Sequence, residues 1–105
     1  MVTVLTIQRH TPADCAYHNE AARKAQIEMA KKGDEIAAKH GVKMVGFWMV
    51  DIEHLTVTVL EAPNYEAFQA WSMEPELRNM SNFSTTEVKV AMTMEEYMQS
   101  MMQAK

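Results

Sequence analysis

Residues 42–62, VKMVGFWMV-DIEH-LTVTVLEA, read as two strands joined by a short connection. Val42 to Val50 is almost wholly apolar over the length of one strand, which predicts a strand covered on both faces. Leu55 to Ala62 alternates β-branched with other residues and reads as a second strand. Asp51-Ile52-Glu53-His54 is a hairpin connection, so the two strands are antiparallel neighbours.

Each side of this hairpin carries a helical stretch and one further strand. Val2 to Arg9 (VTVLTIQR) is β-rich, with Leu5 and Ile7 on one face and Thr6 and Gln8 on the other. Thr11-Pro12-Ala13-Asp14 supplies a capping hydroxyl, a proline at the first helical position and an early acid, which predicts a helix from Pro12 to about Lys32. Gly33 is expected to interrupt it, with Asp34 to His40 forming a short continuation closed by Gly41. Downstream, Asn64 caps a helix bearing Phe68 and Trp71, which Pro75 breaks or restarts. Glu87 to Thr93 alternates as a fourth strand, with Val88, Val90 and Met92 inward. Thr93-Met94-Glu95-Glu96 is a capping box that opens a C-terminal helix.

The order β-α-β-β-α-β with right-handed crossovers gives an α+β, ferredoxin-like antiparallel sheet of strand order 4-1-3-2, with its helices on one face and an added C-terminal helix. At 105 residues this is a single domain, 1–105. The other face of the sheet is expected to carry Val2, Val4, Thr6 and Thr58, and a second subunit is the natural cover.

Composition excludes several classes. The chain is 48% hydrophobic and 23% charged, ordinary values for a folded domain. Ten Lys+Arg stand against 14 Asp+Glu, a net charge of −4, which offers no electrostatic footprint for nucleic acid. No apolar run reaches the ~18 residues of a membrane span, and no secretory signal pattern is visible. One cysteine cannot make an internal disulfide and fits a reducing compartment. A cytoplasmic address is the expectation.

The topology gathers the histidines. The first strand ends at His10 and the third begins after His54, so antiparallel neighbours bring these two together. The first helix starts at the same edge, bringing Cys15 in its first turn and His18 three residues on, on one helical face. A thiol near a helix N-terminus is biased toward thiolate, the form that binds metal. Imidazoles with a thiolate suit zinc, copper, nickel or iron. His10, Cys15 and His54 alone leave a coordination position open, whereas His18 would close the site. One obstacle is that alternation puts His10 and His54 on the Gln8/Thr6/Thr56/Thr58 face and Cys15 on the helix side, so the strand ends must twist or bulge.

Other residues read as structure. His40 is a cation in the last helical turn. Met94, Met98 and Met101/Met102 recur at helical spacing and read as a packing stripe on the core or a partner rather than a copper site. Phe47, Trp48, Phe68 and Trp71 are expected to line the space between sheet and helices. Glu61 stands at the end of the third strand, where facing the core would require a partner or a raised pKa and an exposed strand end is the expectation. Phosphate loops, nucleophile elbows and Cys-x-x-Cys pairs are absent from the sequence.

The segment His10-Thr11-Pro12-Ala13-Asp14-Cys15 after a first strand resembles a signature of small, largely uncharacterised prokaryotic proteins of the dimeric α+β barrel superfamily. The Glu53-His54 hairpin leading into Val57–Ala62, and the cap Pro63-Asn64-Tyr65-Glu66-Ala67, resemble the same group. Ala16 departs from that pattern, where proline is frequent. The resemblance implies a ferredoxin-like dimer. The wider superfamily includes cofactor-independent monooxygenases, muconolactone-type isomerases, stress-response dimers and nickel-binding members. It implies His10, Cys15 and His54 as site residues.

Three functions fit the sequence, and it leaves open whether the protein is an enzyme. The first is a homo-oligomer, a dimer through its sheet, with a metal site at the sheet edge. The second is a metal-free monooxygenase or isomerase acting on a small apolar substrate, with His10 or His54 as general base. The third is a structural or stress-response dimer without small-molecule chemistry.

Overall fold

The computed structural model describes residues 1–104. Strands β1 (Val2–Arg9), β2 (Lys43–Val50), β3 (Leu55–Ala62) and β4 (Thr85–Ala91) form one antiparallel sheet of order β2-β3-β1-β4, the expected arrangement. Helices α1 (Glu20–Lys39), α2 (Tyr65–Ser72), α3 (Pro75–Ser81) and α4 (Met94–Gln103) complete the chain. Val4, Leu60 and Ala62 of the sheet pack with Ile36 of α1, Val42, and Phe68 and Trp71 of α2 as the core. No helix among the described residues is long and apolar enough to cross a membrane.

The face assignment of the sheet is the reverse of the expected one. Val4, Thr6 and Thr58 are buried on the helix side, and Val2 packs beside that core. The open face instead carries Leu5 and Ile7 of β1, paired with Val59 and Val57 of β3. Both faces are rich in β-branched and aliphatic residues, so alternation alone does not say which is covered. The threonines misled because a threonine can be buried where it borders a cavity, and Thr6 and Thr58 line one.

Three boundaries also differ. Thr11-Pro12 opens only a single 3₁₀ turn, Pro12–Asp14, after which Cys15 is extended (φ −67°, ψ 136°). The long helix starts at Glu20, where the Asn19 side chain accepts the Ala22 N–H at 3.0 Å. Helix α1 runs through Gly33 without a break, because one glycine costs only about 1 kcal/mol against a helix of this length. Strand β2 is an edge strand and largely exposed, so its apolar run is not covered on both faces. Val45 bulges out of register between Met44 and Gly46, and the Trp48 ring lies over Gly46, where a Cβ would meet it. Trp48 pairs with Val57 and therefore stands on the open face, not in the space beneath the helices. Strand β4 begins two residues earlier than expected and ends at Ala91. Val88 and Val90 oppose Thr6 and Val4 on the helix side but stay 42% and 61% exposed.

The capping box is present: the Thr93 hydroxyl accepts the Glu96 N–H, and the Glu96 carboxylate accepts the Thr93 N–H, both at 3.0 Å. Every residue from Met94 to Ala104, the whole of the helix it opens, is exposed. The molecule measures 54 × 30 × 16 Å with a radius of gyration of 15.4 Å. A compact chain of this length has about 13 Å.

A polar clasp joins the end of α1 to α3. His40 Nε2 donates to Glu74 Oε1 at 2.7 Å and Lys39 Nζ to the same oxygen at 2.9 Å. The His40 hydrogen bond, then that of Lys39, holds the Glu74 carboxyl below its ordinary value of 4.5. A depressed carboxyl stabilises the fold above its unfolded pKa and loses that contribution as pH falls through the folded one. Denaturation midpoints of Glu74→Gln measured against pH are therefore expected to lie below wild type near neutrality and to converge with it in acid. A constant offset at every pH would contradict this.

Candidate metal centre

Three segments meet at the end of the sheet where β1 leaves and β3 enters. The His10 N–H donates to the His54 carbonyl at 3.1 Å, extending the β1–β3 ladder by one step past Arg9 and Leu55. His54 follows a 3₁₀ turn, Asp51–Glu53, and has φ 52° and ψ 45°, the left-handed region that a residue with a side chain enters at a cost. His is among the few residues enriched there. That conformation turns the imidazole back across the sheet, so the rings of His10 and His54 meet edge to face, with centroids 5.1 Å apart at 78°.

Cys15 reaches the same place from the turn before α1. Its N–H donates to the Pro12 carbonyl at 3.3 Å, and its own carbonyl accepts the His18 and Asn19 N–H groups at 2.8 Å each. Arg23 donates to the Ala16 and Tyr17 carbonyls and pins the rest of this turn to α1. Cys15 is free and 5% exposed. It does not lie in the first turn of a helix, so the expected help of a helix dipole is absent.

One ligand atom each from His10, Cys15 and His54 falls within 4.8 Å of the other two. His18 is outside this group: the helical face meant to pair it with Cys15 does not exist, because the chain turns between residues 15 and 19. The expected twist of the strand ends is also unnecessary. The Gln8/Thr56 face is the helix side, so the two histidines and the cysteine already share it. His54 Nδ1 and His10 Nε2 are 3.3 Å apart. Tetrahedral zinc with Zn–N near 2.0–2.1 Å needs an N···N edge of about 3.3 Å, so the imidazole pair fits. The sulfur and one nitrogen of each ring lie within 4.8 Å of one another, a spacing that side-chain rotation can tighten to coordination distance.

Burial, then the neighbouring His54, lowers the His10 pKa below its ordinary 6.5, while Asp14 and Asp51 oppose the shift. The neutral imidazole is the form that ligates metal. The left-handed His54 makes a second expectation concrete. His54→Gly is expected to raise the stability of the metal-free protein by up to about 1 kcal/mol in urea denaturation, by relieving that backbone conformation. A destabilised variant would show that the imidazole holds the loop.

Beside the site is space. A cavity of about 60 Å³ touches His10, Asp14, Gln8 and Thr56. A second, of about 940 Å³, runs between the sheet and helices α1 to α3 along Thr6, Thr58, Phe47, Phe68 and Trp71. Gln8, Gln26, Phe47 and Met80 line both, so the two adjoin. Sequence reasoning placed an apolar cleft here but missed its threonine floor and its continuity with the histidine end.

The fold and site define an α+β protein of ferredoxin-like architecture. The chain belongs to the family described as Domain of unknown function (DUF3303), whose model matches residues 12–105 and so includes Cys15 and His54. Three solved structures share the fold. Protein Atu4242 from Agrobacterium tumefaciens is 16% identical, covering 88% of this chain and 92% of that one, with a TM-score of 0.59. An antibiotic biosynthesis monooxygenase is 11% identical over 89% and 98%, with a TM-score of 0.61. A NIPSNAP domain protein from Burkholderia xenovorans is 12% identical over 90% and 97%, with a TM-score of 0.53. At such identities the likeness concerns the fold. No curated protein matches the chain.

Proposed function

We propose that the protein is a small metal-binding homo-oligomer whose His10 and His54 imidazoles and Cys15 thiolate hold one transition-metal ion. The observation that carries this reading is the convergence of three ligand atoms, from three separate segments, within 4.8 Å. Two nitrogens and a sulfur suit zinc, copper, nickel or iron. Three protein ligands leave a position for solvent or substrate, the pattern of catalytic and sensing sites. His18 is the residue that would supply a fourth ligand if the turn at 15–19 closed further. The test is dialysis against each ion in turn followed by elemental analysis. One ion per chain is expected, and substoichiometric binding of all four overturns the reading.

The oligomer in this reading is a dimer through the open face of the sheet. Leu5, Ile7, Val57 and Val59 form its centre, and the exposed Trp48 and the unpacked α4 supply further apolar surface. Val57→Glu is expected to convert a dimer to a monomer in sedimentation, and an unchanged mass would reject this face.

A second reading is favoured by the cleft. A space of about 940 Å³, within the range of small-molecule sites, fits a protein that acts on a small apolar compound, as a cofactor-independent monooxygenase or isomerase. The name of one structural neighbour, antibiotic biosynthesis monooxygenase, accords with it. His10 or His54 would be its general base. Turnover of an apolar substrate by metal-free protein, abolished in both His10→Ala and His54→Ala, is the expected result. Activity retained in both variants would remove the histidines from that role.

A further inference from the structure

The floor of the larger cleft carries a pair of buried hydroxyls. Thr6 of β1 and Thr58 of β3 are direct cross-strand partners on the helix side, 6% and 4% exposed, and both line the cleft. Thr56, one pair nearer the histidines, donates its hydroxyl to the Met49 sulfur at 3.6 Å, whereas Thr6 and Thr58 make no such bond among the described residues. Neither of their oxygens is sealed in: Trp71 Nε1 is the one unbonded, buried side-chain nitrogen or oxygen there that solvent does not reach. What meets the two hydroxyls therefore comes through the cleft. Side chains directly opposite on one sheet face have Cβ atoms about 4.5–5.5 Å apart, so a single oxygen can lie between both hydroxyls, accepting from one and donating to the other. Water can take that position in the open cleft. A molecule that fills the cleft displaces the water, and without a polar atom of its own it leaves two buried hydroxyls unmet.

We propose that the cleft binds an apolar alcohol whose hydroxyl group lies between Thr6 and Thr58. This rests on the cleft reading of the function and not on the metal. An alcohol matches the pair because it both gives and takes a hydrogen bond, as each threonine does. Met29, Phe47, Phe68 and Leu77 offer apolar contact to the body of the molecule. The threonines carry no charge, and the charged residues of the cleft, Asp34, Lys43 and Arg78, are all exposed. A carboxylate at the threonine pair would give up its hydration for uncharged partners, which an alcohol does without penalty. The pair thus selects the alcohol over a hydrocarbon of the same shape.

Three probes on one ring system test it by equilibrium dialysis: 2-(2-naphthyl)ethanol, 2-propylnaphthalene and 2-naphthaleneacetate. Wild type is expected to bind the alcohol about tenfold more tightly than the hydrocarbon, and the carboxylate more weakly than the alcohol. Valine keeps the shape of threonine and removes its hydroxyl, so the double variant Thr6→Val/Thr58→Val is expected to lose the preference for the alcohol while still binding the hydrocarbon. Each single valine variant is expected to lose part of it, which keeps the test open if the double variant fails to fold. Thr58→Ser retains the hydroxyl and is expected to retain the preference. Equal binding of alcohol and hydrocarbon by wild type, or a preference that survives in the double valine variant, overturns the role of the pair and leaves the cleft reading standing. Tightest binding of the carboxylate overturns the choice of a neutral head group. Failure of wild type to bind any of the three overturns both the role and the cleft reading.

Discussion

Cys15→Ser is expected to weaken zinc binding by more than about a hundredfold, measured by competition with a chromogenic chelator. Loss of a group that merely orients a ligand already costs 10–100-fold, and Cys15 is proposed as a ligand itself. The hydroxyl cannot replace it, because a serine at neutral pH is not the soft anion that a thiolate is. His54→Ala is expected to do as much by a different route, removing one nitrogen of the pair that lies 3.3 Å apart. His18→Ala is the contrast: its side chain is not among the three that converge, so its effect is expected to stay within about tenfold. Equal losses from His18→Ala and Cys15→Ser would redraw the site around the turn at 15–19.

Leu60→Ala is expected to cost about 3 kcal/mol and to lower the melting temperature by about 10–20 °C in thermal denaturation. Leu60 is 0% exposed on β3, the strand flanked by both β1 and β2, and it sits in the core that joins the sheet to α1 and α2. Truncation leaves a cavity beside Val4, its partner on β1, that backbone hydrogen bonds to β1 and β2 keep from collapsing. Val90→Ala, on the same face but 61% exposed at the edge, is expected to change stability by no more than about 0.5 kcal/mol. A loss below 1 kcal/mol for Leu60→Ala would mean that the core is looser than its burial indicates.

The topology was legible because a short connection at 51–54 forces a hairpin, and the crossovers around it leave few alternatives. The pairing of His10 with His54 followed from that topology alone, and their backbones indeed bond at 3.1 Å. What the sequence concealed has local physical causes. Thr11-Pro12 carries helix-start chemistry, yet Asn19 is the residue that caps α1, and two competing caps cannot be ranked without tertiary contacts. The misplaced helix start is what drew His18 to Cys15. The reversed sheet faces came from threonines that border a cavity rather than solvent, and the supposed separation of Cys15 from the histidines came from the same reversal. The left-handed His54 has no glycine to announce it, and no residue pattern in Asp51–His54 marks the turn that aims its ring.

X-ray absorption at the metal edge of the zinc-loaded protein reads the His10–Cys15–His54 ligand set itself. That ligand set requires two nitrogen scatterers with imidazole character near 2.0–2.1 Å and one sulfur near 2.3 Å, the sulfur vanishing in Cys15→Ser. A shell of oxygen and nitrogen alone in wild type, or sulfur that persists in Cys15→Ser, would contradict it and place the ion elsewhere.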